Sequence, residues 1–236
     1  KGISNTMGIQ IKDCNELGIQ IMEGLVLDSK GNTIKTFFTN KMGYGKFELT
    51  PDSNETYSVK IATDKLKTEK QLPKATNSGL AITYNNNLPN NVLEVAVNTN
   101  SDGVNLYQNK NYTLLIHQNG KHTQKEFNFN DKNPNQILTF DKNDLANGVN
   151  SIRIIDENQN DITERLLYLN KLPKEIPALE TQYSANDSIN LIGKLNSKIA
   201  NLSISILPVE TICIDQKNPM LGTFYLNSDL EKPVLN

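Results

Sequence analysis

The feature that most constrains this chain is how short its apolar runs are. Ile9-Gln10-Ile11-Lys12, Lys46-Phe47-Glu48-Leu49 and Tyr57-Ser58-Val59-Lys60-Ile61 each alternate apolar and polar residues. Clusters of Asn, Asp or Gly punctuate such runs, as at Asp28-Ser29-Lys30-Gly31-Asn32 after Leu25-Val26-Leu27. A period of two sends every second side chain to the same face of an extended strand. Nowhere does a helical period of 3.6 persist for the roughly 10–12 residues that would favour a packed helix over a strand. A chain of this kind folds as short, half-buried antiparallel strands. The predicted class is all-β, a row of consecutive small Ig-like antiparallel β-sandwiches.

The punctuation divides the row. Residues 1–68 predict a first sandwich. In it Met42-Gly43-Tyr44-Gly45 is a turn where glycine makes positive φ cheap. The polar stretch 64–74, with Leu72-Pro73, reads as a linker. Residues 69–174 predict a second sandwich with strands at 80–84, 92–97, 112–117, 121–129, 137–140, 149–156 and 162–169. Asn119-Gly120 between two of these is the strongest short hairpin signal. Asp141 to Asn147 has room for one helical turn capped by Asp141 or Asn143. Leu172 to Pro177 marks another boundary, because proline interrupts strand pairing. Residues 175–236 predict a partial or short β domain, with strands at 188–195 and 201–207, that leads toward a further C-terminal region.

Composition excludes several functions. With 24 Lys+Arg against 26 Asp+Glu and no basic cluster, the chain has no footprint for a nucleic-acid backbone. No run approaches the ~20 apolar residues of a membrane-spanning helix. Lys1-Gly2-Ile3 at one end and Lys232 to Asn236 at the other read as the ends of a piece of a longer protein, and no leader is visible. Cys14 and Cys213 stand near opposite ends. They read as two separate thiols, and would pair only if their Cα atoms came within ~7 Å.

The search for chemistry turns up weak constellations only. With Asn119-Gly120 as a two-residue turn, His117 faces His122, Cβ atoms about 4.5–5.5 Å apart. Zinc asks for three or four protein ligands, and the neighbours Leu115 and Gln124 supply none, so the pair reads as solvated. Asp156 to Asp161 imitates a calcium loop, but Asp161 stands where the turn glycine belongs and Leu167 where the bidentate Glu belongs. Gly43-Tyr44-Gly45 lacks the Gly-Lys-Ser/Thr ending of a phosphate loop, and no Gly-x-Ser-x-Gly occurs. The predicted catalytic, cofactor-binding and metal-binding sets are therefore all empty. For glycans the chain has no Trp, and Tyr44, Tyr84 and Tyr107, which lie near loops, are the only plausible platforms. Glu164 and Arg165 point to opposite faces of their strand, one outward and one toward an inter-domain contact.

Several segments resemble a known family. Gly24 to Asn32, then Phe37, Met42 to Phe47, Pro51 and Glu55-Thr56-Tyr57 resemble a macroglobulin-type domain of bacterial alpha-2-macroglobulin-like proteins. Leu145 to Asn158 and Glu164 to Asn170 resemble the end of the following domain in envelope proteins of the Bacteroidetes. Ser203 to Pro208 and Leu226 to Val234 are similar to the segment leading to a TonB-receptor-like plug domain there. The resemblance implies consecutive β-sandwiches in a protein of the outer membrane or periplasm, and no catalytic residues. The thioester of some macroglobulins needs Cys-x-Glu-Gln. Asp13-Cys14-Asn15-Glu16-Leu17 places Leu17 where that Gln is required, so no thioester forms.

The functional expectation is a non-catalytic structural and protein-interaction module of a larger cell-envelope protein, associated with TonB-dependent uptake. It would need no cofactor, and its partner would be an envelope protein or neighbouring domains of its own chain. The rival readings are a glycan-binding or adhesin-type sandwich and a macroglobulin-like protease inhibitor without a thioester.

Overall fold

In the computed structural model the described residues are 1–63, 67–129, 134–171, 179–183, 189–193, 207–211 and 220–230. The chain forms two compact units, one of residues 1–169 with 217–236 and one of residues 170–216. The larger unit holds two β-sandwiches, and the fold class is all-β as the alternation predicts.

The first sandwich uses β1 (Asn5–Gln10), β2 (Gly24–Leu27), β3 (Thr33–Phe37), β4 (Tyr44–Leu49), β5 (Ser58–Ala62) and β6 (Lys67–Gln71). β1 pairs with β4, and the second sheet runs β3-β2-β5-β6, all antiparallel. The alternating residues do what their period asks: Val26, Phe47, Leu49, Val59 and Ile61 are buried together with Phe37 and Tyr57. The rings of Phe37 and Phe47 meet across the sandwich at 5.7 Å. Gly24 lies under Phe37, where a Cβ would come within 2.2 Å of the ring.

β6 falls within the stretch expected to be a linker. Its residues Lys67-Thr68-Glu69-Lys70-Gln71 are all exposed. It pairs with β5 alone, at the edge of the sheet. An edge strand that buries neither face carries no period-two signal, so nothing in the sequence set it apart from a loop.

The second sandwich contains β7 (Ala81–Asn85), β8 (Val92–Asn98), α1 (Ser101–Tyr107), β9 (Asn111–Gln118), β10 (Lys121–Asn128), β11 (Asn135–Asp141), β12 (Gly148–Asp156) and β13 (Asp161–Leu169). Its sheets run β11-β8-β7 and β10-β9-β12-β13. Leu93, Val95 and Val97 from one sheet and Leu114, Ile116, Ile152, Ile154 and Leu167 from the other are fully buried between them. Such burial stabilises by about 1.5–3 kcal/mol for each side chain. At one end the rings of Tyr112, Phe127 and Phe129 form a triangle with centroids 5.5–6.0 Å apart, and burial pushes the Tyr112 phenol pKa up.

The Asn-Gly hairpin forms as predicted. Asn119 and Gly120 both take positive φ, and His117 pairs with His122 in register. A 3-10 turn at Lys142–Asp144 is capped by the Asp141 carboxylate, which accepts from the Asn143 backbone N–H. The seven-residue α1 is too short to show a helical period. Its cap is Asn100, whose Oδ1 accepts from the Gly103 N–H at 2.8 Å.

A further segment of this unit, α2 (Met220–Tyr225) and a 3-10 turn at Asn227–Asp229, crosses one corner of the β10-β9-β12-β13 sheet. There the Gln118 amide donates to Asp229 Oδ2 at 2.8 Å. A Cβ on Gly148 would come within 2.8 Å of the Tyr225 carbonyl oxygen. The smaller unit contains one described hairpin, β14 (Leu179–Tyr183) with β15 (Ile189–Gly193), Thr181 opposite Leu191. The strand expected at 201–207 lies almost wholly outside the described residues, and so does Cys213.

Candidate functional site

Among the described residues one five-residue turn is used four times. It begins with Asp13, Asp28, Asn40 and Asp156. In each case Oδ1 of that residue accepts from the backbone N–H groups two and four positions on. The distances are 2.8 and 2.9 Å at Asp13, 2.9 and 2.8 Å at Asp28, 3.0 and 3.0 Å at Asn40, and 2.9 and 2.8 Å at Asp156. The fourth residue is left-handed each time: Glu16 (66°), Gly31 (80°), Gly43 (79°) and Gln159 (65°). Asp and Asn suit the first position because their short side chains imitate a backbone turn. Asn32 and Asn160 add a side-chain amide to the carboxylate, each at 3.0 Å. Those amides, followed by the backbone N–H of the same residues, hold the Asp28 and Asp156 carboxyls below the ordinary range. The segment that imitates a calcium loop is thus a hairpin turn whose carboxylate is already engaged by its own backbone.

Two of these turns interlock at one end of the first sandwich. The Ile11 N–H donates to the Gly43 carbonyl at 2.9 Å. A Cβ at Gly18 would come within 2.1 Å of the Met42 carbonyl carbon, and one at Gly43 within 2.1 Å of the Ile11 oxygen. Beside them Thr39 is 1% exposed. Its hydroxyl donates to the Ile19 carbonyl at 2.8 Å and accepts from the Ile21 N–H at 2.7 Å. This fixed backbone carries four large apolar side chains into solvent: Met22 is 81% exposed, Phe38 72%, Leu17 54% and Met42 41%. Cys14, in the same pair of turns, is exposed and free. The period-two reading missed this cluster, because its residues lie between strands and follow no period.

Glu164 and Arg165 separate as their strand requires. Glu164 accepts from the Ser151 hydroxyl on the outer face. Arg165 turns inward, donating to the Ile82 carbonyl at 3.1 Å and to Asn5 Oδ1 of the first sandwich at 3.4 Å. Its guanidinium lies 5.6 Å from the Tyr84 ring centroid. Asn100 adds a second tie, donating to the carbonyls of Lys1 at 2.8 Å and Asn77 at 2.7 Å. Between the two sandwiches a cleft of about 230 Å³ is lined by Ile3, Met7, Leu49, Leu72, Leu80 and neighbouring residues.

The outer face of the β10-β9-β12-β13 sheet holds a polar trench of about 610 Å³. Asn111, Thr113, Gln124, Glu126, Arg153 and Asp161 are among its lining. Arg153 and Asp161 form an ion pair across it. Two of the three aromatics singled out as sugar platforms are engaged elsewhere. Tyr84 lies under Arg165, and Tyr107 packs on Tyr112 and Phe129. Tyr44, at the start of β4, is half-buried. Among the described residues no three His, Cys, Asp or Glu side chains gather as a metal site.

No family model matches the chain, and no curated protein matches it. Among solved structures it is similar to a "putative carbohydrate binding protein" from Bacteroides uniformis ATCC 8492. The identity is 10%, over 80% of this chain and 98% of that one, with a TM-score of 0.20. At that score the likeness carries no argument about ligand. What the geometry defines is a pair of joined β-sandwiches with one rigid apolar tip and one polar outer face. Among the described residues no helix is long and apolar enough to cross a membrane.

Proposed function

We propose that the chain is a non-catalytic binding module that docks an envelope protein partner. The observation that carries this reading is the apolar tip of Leu17, Met22, Phe38 and Met42. Large side chains that water disfavours are held out on a backbone locked by Gly18, Gly43 and Thr39. Large apolar side chains exposed at one end of a domain are a common mark of a protein contact. Methionine is suited to such a contact because its flexible thioether adapts to the opposing surface. The Arg165 contacts join the two sandwiches, as a module that positions a neighbour requires. The module belongs to a larger cell-envelope protein of the macroglobulin-bearing kind associated with TonB-dependent uptake. Support for that placement is the resemblance of residues 24–57 and 145–170.

The test is a pull-down from detergent-solubilised envelope of the source cells, with wild type and a Met22→Ser/Phe38→Ser double variant. A protein retained by the wild type and lost by the variant is the expected result. Equal retention by both would remove the tip from the interface.

The polar trench favours a second reading, a glycan-binding sandwich. Its amide, carboxylate and guanidinium groups match the hydroxyls of a saccharide. A glycan array on which wild type gives signal and Gln124→Ala/Arg153→Ala does not would favour this reading over the first.

A further inference from the structure

The interior of the first sandwich is left unfilled where it meets the second. Alternation along β1 sends Ile9 and Met7 onto the core, and Met7, Asn5 and Ile3, at every second position, into the lining of the cleft of about 230 Å³ at that junction. Asn5 pairs with Leu49, a buried residue that lines the cleft too. Tyr57 and Leu72 line it from just beyond the β5–β6 ladder, where the Leu72 N–H donates to the Tyr57 carbonyl at 2.8 Å. From the second sandwich come Leu80, which packs on that sandwich's own core, and Ala81 at the start of β7. This part of the lining is held in place. The Thr99 hydroxyl donates to the Gly79 carbonyl at 2.9 Å, and Arg165 bridges the Ile82 carbonyl to Asn5.

We propose that this junction cleft is a binding site for a small uncharged hydrocarbon group. The polar side chains Asn5, Tyr57 and Thr76 in its lining are already engaged. Asn5 Oδ1 accepts from Arg165 at 3.4 Å, the Tyr57 hydroxyl accepts from the Asp52 N–H at 2.9 Å, and the Thr76 hydroxyl donates to the Ser78 carbonyl at 2.9 Å. A water molecule held in a cavity needs about two to four polar partners, which this lining is poor in supplying. A sugar or a charged ligand would leave its own polar groups unpaired there. A hydrocarbon needs no partner, and its entry takes apolar surface on both sides out of water. An apolar cavity of about 150 Å³ holds a benzene ring, so by the ratio of volumes this one takes about nine carbons. That is below the roughly 300–1,000 Å³ of pockets for larger ligands, so the occupant is a compact ring or a short chain. It touches both sandwiches at once, and ligand sites form preferentially at such junctions. The site is separate from the apolar tip and the polar trench, and it stands whether the module's partner is a protein or a glycan.

Naphthalene, a compact hydrocarbon with no polar atom, is the probe, and methyl-resolved NMR of the whole chain reads where it binds. The expected result is a set of saturable shifts at the methyl groups of Ile3, Met7, Leu49, Leu72, Leu80 and Ala81. Ala75, in the connecting segment, also lines the cleft. Ala75→Phe places a ring in the space and should weaken naphthalene binding about tenfold or more, with circular dichroism checking that the strands remain. Absence of shifts at the cleft methyls, or shifts that grow without saturating, would overturn the proposal. Shifts confined to Leu17, Met22 and Met42 would place the probe at the tip and overturn it as well. So would a folded Ala75→Phe protein that binds naphthalene as wild type does. If Ala75→Phe fails to fold, Leu80→Phe takes its place with the same expected loss, and if neither folds the wild-type shift map alone decides.

Discussion

The four-fold turn offers a measurement with its controls built in. Gln159 occupies the left-handed position that glycine fills at Gly31 and Gly43. An L residue there is strained by about 1–2 kcal/mol. Glycine avoids that strain but loses about 0.5–1 kcal/mol more chain entropy on folding. Gln159→Gly should therefore stabilise the chain by about 0.5–1 kcal/mol. The reverse change, Gly31→Ala, should destabilise by a similar amount, because a Cβ at Gly31 meets nothing within 4 Å and only φ is strained. Gly43→Ala has the same φ penalty and also drives a Cβ to 2.1 Å from the Ile11 oxygen, which accepts from the Ile19 N–H. Backbone must shift there, so the loss should exceed about 2 kcal/mol, on the order of a severe overpacking. Urea unfolding followed by circular dichroism gives all three values from midpoint and slope. A destabilising Gln159→Gly, or a Gly43→Ala no worse than Gly31→Ala, would refute the claim that one turn geometry governs these sites.

Three further outcomes follow from the same contacts. Arg165→Met should destabilise by about 2–3 kcal/mol, since it removes a charge-assisted bond to Ile82 and the contact over Tyr84, and Arg165→Lys should recover only part of that; urea unfolding of the three proteins checks it. Thr39→Val, nearly the same shape, leaves the Ile21 N–H and Ile19 carbonyl without the hydroxyl and should destabilise by about 2–4 kcal/mol, whereas Thr39→Ser keeps most of the stability; their thermal midpoints compare the two. Asp28 and Asp156 are held below the unfolded carboxyl value of about 3.9, so the stability they add is present above that pH and is lost as pH falls through their folded values. Asp28→Asn/Asp156→Asn, which copies the turn that Asn40 already makes, should flatten the acid limb of midpoint against pH below the unfolded carboxyl value of about 3.9; an unchanged limb would mean other carboxyls govern it.

What could be read from the sequence was whatever carries a local signal. Alternation placed the strands of both cores, and Asn119-Gly120 set the register that brings His117 opposite His122. Asp141 marked its own capped turn. Strand geometry alone separated Glu164 from Arg165 and sent one of them to an inter-domain contact. The unread parts have no local period. α1 is two turns long, and its signal is a single capping Asn100. The apolar tip joins residues from two connecting segments, β1–β2 and β3–β4, and only the tertiary contacts of Gly18, Gly43 and Thr39 bring them together. The seat of α2 and its following turn depends on Gly148 and Gln118 meeting residues far along the chain. Met42-Gly43-Tyr44-Gly45 was half legible. Gly43 is the turn residue, but Gly45 lies in β4, where a Cβ would come within 2.3 Å of the Phe38 oxygen.

The polar edge strand has a consequence for how this protein behaves at high concentration. A sheet edge offers unpaired N–H and C=O groups to any other chain with an extended segment, and runs of such edges seed aggregates. β6 closes that route at its own edge of the sheet with Lys67, Glu69 and Lys70, whose charges and hydration oppose the approach of a second strand. The same five residues that look dispensable as a spacer thus act as a solubility guard. Replacing Lys67 and Lys70 with valine would raise the strand propensity of β6 while making the purified protein more prone to self-association.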